Sequence, residues 1–192
     1  MHESAAGGAR RDSTPGQPAM WVLVMIEALT FSAYFVVYTI RYRQSPGLFL
    51  QSQAELHIAL GVINTIVLLT SSWSIARCVE RSRAGDFAAA LRNASLTIAG
   101  GLLFCAMKLW EWSAEIGRGL TFTTNEFFEF YYFLTGMHLL HVLAGFIALG
   151  IAVYQLASPQ RRSQELIETC ATYWHMVDFL WVIIFALLYV MR

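Results

Sequence analysis

The chain has 192 residues, of which 57% are hydrophobic and only 14% charged, and against roughly 25% charged residues in a soluble domain this composition describes a protein of the bilayer. A formal net charge of zero speaks against a nucleic-acid partner, which would demand basic patches, and leaves Arg10-Arg11 and Arg161-Arg162 as topology signals or contacts to anionic headgroups. The three cysteines, Cys78, Cys105 and Cys170, lack C-x-x-C spacing and match no structural zinc pattern.

Residues 1–19 read as a disordered cytoplasmic tail with no small-residue cleavage signal after its apolar continuation, and Trp21 marks the first membrane interface. From there the sequence predicts an all-α, five-transmembrane-helix domain over 20–192. Its spans, 20–40, 56–76, 94–114, 131–156 and 172–191, are each long enough to cross roughly 30 Å of hydrocarbon at about 1.5 Å per residue. Backbone satisfaction in lipid excludes open strands, and the apolar runs lack the alternation of a membrane barrel. Ser45-Pro46-Gly47 predicts a turn after the first span, the mixed-sign run from Arg77 to Asp86 a solvated connection, and Ser158-Pro159 the end of the fourth span. Eight arginines (Arg10, Arg11, Arg77, Arg81, Arg83, Arg92, Arg161, Arg162) fall on one side and four (Arg41, Arg43, Arg118, Arg192) on the other. That bias places the N-terminus in the cytoplasm and the C-terminus outside.

Every span carries polar groups that lipid would reject. Glu27 has no basic residue at helical spacing in its own span, so its partner must be another helix, a lipid headgroup or a proton. In the second span Asn64 and Thr65, followed by Thr70, Ser71 and Ser72, form a strip suited to interhelical hydrogen bonds. Lys108 and Glu111 stand three apart and are expected to neutralise each other or to let Lys108 snorkel outward, while Glu115 and Arg118 extend a solvated edge. The aromatic run from Phe127 to Tyr132 reads as an interfacial belt. His138 and His141 share a helical face between Gly136 and Gly145, which predicts close helix approach with histidines hydrogen-bonding across it; metal ligation is the alternative. His175 and Asp178 form a same-face pair, structural or proton-relaying, and Trp174 and Trp181 anchor it in headgroups or in a protein contact.

Taken together, Glu27 with Phe31 and Phe35, the Asn64–Thr70 segment, Thr97 and Ile98 through Lys108 and Glu111, Thr135-Gly-Met-His138-Leu-Leu-His141, and Tyr173-Trp-His175-Met-Val-Asp178-Phe-Leu-Trp181 resemble subunit III of the haem-copper cytochrome oxidases. They are closest to its five-helix NorE-type relatives associated with nitric oxide reductase. Lys108 stands where the longer subunits commonly carry glutamine, which favours the NorE type. The resemblance implies a chain that begins at the third helix of the seven-helix subunit. It also implies a non-catalytic accessory role in the bacterial cytoplasmic membrane, beside catalytic and electron-entry subunits that hold the haem and the copper or non-haem iron. No cofactor is expected in this chain apart from a structural phospholipid, and Glu27 resembles the family's intramembrane carboxyl. Two other readings stay open: a subunit III supporting oxygen reduction and proton uptake, and an autonomous proton-coupled transporter using Glu27, Lys108, Glu111, His138, His141, His175 and Asp178, against which no inverted repeat or broken helix pair is evident.

Overall fold

A computed structural model describes residues 17–160 and 162–191; the expectations for residues 1–16 and for Arg161 and Arg192 lie outside the described residues. Among the described residues there is no strand, and the helices are α1 (Pro18–Gln44), α2 (Pro46–Ala54), α3 (Ile58–Arg83), α4 (Phe87–Gly117), α5 (Glu126–Ala157) and α6 (Gln164–Phe185), the last continued by a π-helical turn (Ala186–Val190). Five of them are long and apolar enough to span a membrane. The fold is therefore the expected all-α polytopic bundle.

Local signals explain the boundaries. Helix α1 starts at Pro18, inside the expected tail, because proline at the first helical position loses no hydrogen bond. The predicted turn at Ser45-Pro46-Gly47 shrinks to Ser45 alone, held at φ −138° and ψ 59° before Pro46, and the chain then resumes as α2. Gly85, at φ +78°, turns α3 into α4, where Asp86 caps the Ala89 N–H at 3.1 Å. Asn125 and Ser163 cap α5 and α6 in the same way. Helix α5 ends at Ala157, with Ser158 extended ahead of Pro159, as predicted.

Helices α3, α4, α5 and α6 close a ring in which each packs on the next, α1 leans on α6, and α2 braces α5. Only 6% of the apolar window of α1 is buried, against 50% for α6. Helix α6 is thus the central element and α1 the peripheral one. Lateral bonds tie the ends together: Gln17 N donates to Thr169 Oγ1 at 2.9 Å at one end, and at the other Tyr38 and Gln53 both donate to the Leu187 carbonyl, which lies in the last turn.

The core is aromatic, and two sequence expectations are corrected there. Phe127, Phe128 and Tyr131 are fully buried and form no interfacial belt, because α2 folds back and sets Phe49 edge-on against Tyr38 and Phe127. Gly136 does not mediate close approach. A methyl there would meet Trp112 at an ordinary 3.7 Å, whereas at Gly145 it would come within 2.8 Å of the Trp174 indole. Gly145→Ala is accordingly expected to lose about 1–3 kcal/mol through overpacking, and Gly136→Ala close to none; thermal unfolding in detergent compares the two.

Candidate functional site

The densest buried chemistry lies on the inward face of α4 towards the α2 end. Lys108 is fully buried, and its Nζ donates to Glu111 Oε2 (3.1 Å), Tyr131 Oη (3.1 Å) and Tyr189 Oη (2.7 Å). Both phenols donate onward to Glu111 Oε1, at 3.1 and 2.6 Å. The ammonium also lies 4.5 Å from the Tyr131 ring centroid and 5.4 Å from that of Trp181, within cation–π range. Neutralisation by Glu111 is what the spacing predicted. Snorkelling is not observed: α4 runs on to Gly117, and a carboxylate with two phenols stands nearer than any interface.

One turn further, Glu115 is also fully buried, which corrects the expectation of a solvated edge. Its spacing from Glu111 keeps it on the same inward face. Arg118 Nη1 bonds both of its oxygens, at 3.3 and 3.1 Å, while the same guanidinium pairs with the Glu55 carboxylate and donates to the Glu55 carbonyl. A polar cavity of about 540 Å³ opens beside this cluster, lined by Ser52, Glu55, Arg118 and Asn125 among others.

Glu27 finds its partner on another helix. Its Oε2 lies 3.2 Å from His141 Nε2, and His141 Nδ1 lies 2.8 Å from the Met137 carbonyl. A carbonyl only accepts, so the Nδ1 proton is committed to it, and the contact with Glu27 needs one more proton on the imidazole or on the carboxyl. The pair is neutral as a unit whichever group holds that proton. It fastens α1 to α5, helped by the edge of Phe31 against the imidazole at 5.5 Å.

His138, three residues earlier, serves a different interface. It is fully buried with neither ring nitrogen hydrogen-bonded, and its ring packs against Phe104 at 5.5 Å and Trp181 at 5.2 Å. The expected pair of histidines bonding across a glycine contact is therefore not formed. His175 and Asp178 do not bond each other either: His175 Nδ1 lies 2.7 Å from Ser72 Oγ, whereas both oxygens of the buried Asp178 carboxyl have no hydrogen-bond partner among the described residues. Thr65 accepts from Trp181 Nε1 at 3.1 Å and Ser71 from Trp174 Nε1 at 2.8 Å, so both tryptophans are protein anchors, fully buried. Asn64 is buried with no hydrogen bond to its amide, which departs from the expected interhelical bond. Ser72 belongs to the polar strip expected to bond between helices and does so, whereas Tyr131, read as part of an aromatic belt, and Tyr189, a hydroxyl within an apolar run, carried no signal of the Lys108–Glu111 cluster they join.

Among the described residues no three His, Cys, Asp or Glu side chains are placed to hold a metal ion. Between α1 and α6 an apolar groove of about 290 Å³ runs past Trp21, Phe31, Phe35, His175 and Phe179. Its dimensions and apolar walls suit a hydrocarbon chain.

The family model for cytochrome c oxidase subunit III matches residues 18–192. The chain belongs to the cytochrome c oxidase subunit III family. Similar proteins include the cytochrome c oxidase subunit 3 of Synechocystis sp., 30% identical over 88% of this chain and 73% of the relative. A probable cytochrome c oxidase subunit 3 of Nocardia farcinica is 27% identical over 86% of this chain and 83% of its own length. The heme-copper oxidase subunit I+III of Aeropyrum pernix is 28% identical over 89% of this chain, which spans only 22% of that longer polypeptide. Family membership thus agrees with the resemblance read from the sequence motifs.

Proposed function

We propose that this chain is a non-catalytic accessory subunit of a respiratory haem-copper complex in the bacterial cytoplasmic membrane, with its N-terminus in the cytoplasm. Its partners would be the catalytic and electron-entry subunits, and these would carry the haem and metal. The observation that carries the reading is the internal use of its intramembrane charges: Lys108 is spent on Glu111 and two tyrosines, Glu27 on His141. Such pairs fix helices relative to one another, which is what a scaffold beside a redox subunit requires.

The narrower NorE-type assignment, with nitric oxide reductase as partner, rests on Lys108, which stands where the longer subunits commonly carry glutamine. The oxidase reading has its own support, since the relatives described above are oxidase subunits and one is joined to a subunit I in a single polypeptide. Affinity purification of the tagged chain in mild detergent, with mass spectrometry and a reduced-minus-oxidised spectrum, separates them. Co-purifying nitric oxide reductase subunits select the first, oxidase subunits I and II the second, and recovery of a haem-free chain alone would argue for the transporter.

A structural phospholipid is part of the proposal, its chain in the α1–α6 groove and α1 held by the Glu27–His141 pair. In Glu27→Gln the amide can still donate to the imidazole, so the fold should survive, while phospholipid content and recovery of partner subunits fall and the haem spectrum of the recovered complex stays unchanged. Normal lipid content with a loss of proton uptake would instead move Glu27 to proton handling.

A further inference from the structure

The cluster at the α2 end contains more carboxyl groups than cations. Glu55, Glu111 and Glu115 face Lys108 and Arg118, with Tyr131 from α5 and Tyr189 from the π-helical turn bonded into the set. The other titratable neighbours are Tyr132, whose hydroxyl is committed to the Leu120 carbonyl at 2.6 Å, and His57, within electrostatic reach of Glu115. Arg118 is shared by two carboxyls, Glu55 and Glu115, and of the two the one without access to water is the costlier to keep charged.

The three carboxyls are not equivalent hosts for a proton. Glu111 is saturated by an ammonium and two phenol donors. The Glu55 side chain is 47% exposed, so water solvates its charge. Glu115 has no exposed surface in its side chain, and its only hydrogen-bond donor among the described residues is a single nitrogen of an arginine that Glu55 also engages. That arginine is 40% exposed and, with Glu55, lines the polar cavity of about 540 Å³ between α2 and α5, so the partner of the buried carboxyl faces water although the carboxyl itself does not.

We propose that Glu115 is a proton-exchange site in equilibrium with the aqueous phase at the α2 end. A proton delivered by water in the cavity forms an O–H bond with a Glu115 carboxylate oxygen and returns by the same route; no electron moves. Arg118 and Glu55 form the mouth of the site, and the Lys108–Glu111–Tyr131–Tyr189 group closes it towards the bundle centre, so exchange is one-sided.

The test is infrared spectroscopy of the full-length chain in mild detergent at neutral pH, in light and heavy water. The expected spectrum has a carbonyl band of a protonated carboxylic acid that shifts in heavy water, persists in Glu27→Gln and Asp178→Asn, and vanishes in Glu115→Gln. Glu55→Gln, at a half-exposed position that should not disturb folding, removes the surplus carboxyl and is expected to abolish the band although Glu115 is untouched. This second variant decides the matter if Glu115→Gln fails to fold. Absence of an exchangeable carboxyl band in the unmodified chain would overturn the proposal, as would a band that survives either substitution once Glu27→Gln and Asp178→Asn have removed the other intramembrane carboxyls.

Discussion

Lys108→Met is expected to destabilise the bundle by about 3–5 kcal/mol, the range for breaking a buried ion pair from one side. The substitution keeps the length and most of the volume of the side chain, so little packing is lost. What remains is the Glu111 carboxylate, fully buried, with two phenol donors and no cation. Neutralising it should recover most of the loss: Lys108→Met with Glu111→Gln is expected to be clearly more stable than Lys108→Met alone. Thermal unfolding of the two single variants and the double variant in one detergent measures the coupling. A double variant no more stable than Lys108→Met would mean that the unpaired Glu111 charge is not the source of the loss.

Trp174→Ala is the second large effect, at about 2–3 kcal/mol. In a soluble core the same truncation costs about 3–5 kcal/mol, but part of that is transfer from water, which helices already in lipid do not experience. The remainder is lost packing. The indole of Trp174 lies against the bare backbones of Gly145 on α5 and Gly101 on α4, where a methyl would approach within 2.8 and 2.7 Å, and its Nε1 donates to Ser71 on α3. One side chain of α6 thus touches all three other helices of the ring, and its removal opens a void at their meeting point. Trp174→Phe should lose the Ser71 bond but keep most of the contact, with a cost nearer 1 kcal/mol. Equal losses for the two substitutions would show that the hydrogen bond, not the packing, carries the contribution.

These two sites differ in how far the sequence revealed them. The Lys108–Glu111 pairing follows from three-residue spacing on a helix, and it is present at 3.1 Å. Tyr131 and Tyr189 could not be attached to it, because they come from 20 and 78 positions away from Glu111 and nothing local encodes that meeting. Glu27 was legible as a carboxyl in need of a partner; that the partner is His141 depends on α1 crossing α5. His138 and His141 share a sequence motif but serve different neighbours, since residues three apart on a helix differ by enough rotation to face adjacent helices at a crowded junction.

The sequence alone determined the class, the spans and the family motifs of this protein. An apolar run longer than the bilayer is thick has no folded alternative to a helix, and proline and capping residues stop each helix by local chemistry. Only the tertiary structure decided which groups are buried: Glu115, Phe127, Phe128 and Tyr131 read as surface, yet all four are buried, Phe127 against Phe49 of the returning α2. Within lipid every face of an apolar helix looks alike, so the choice of inward face rests on interhelical shape and on paired polar groups. Those pairings become definite only once all the helices are in place.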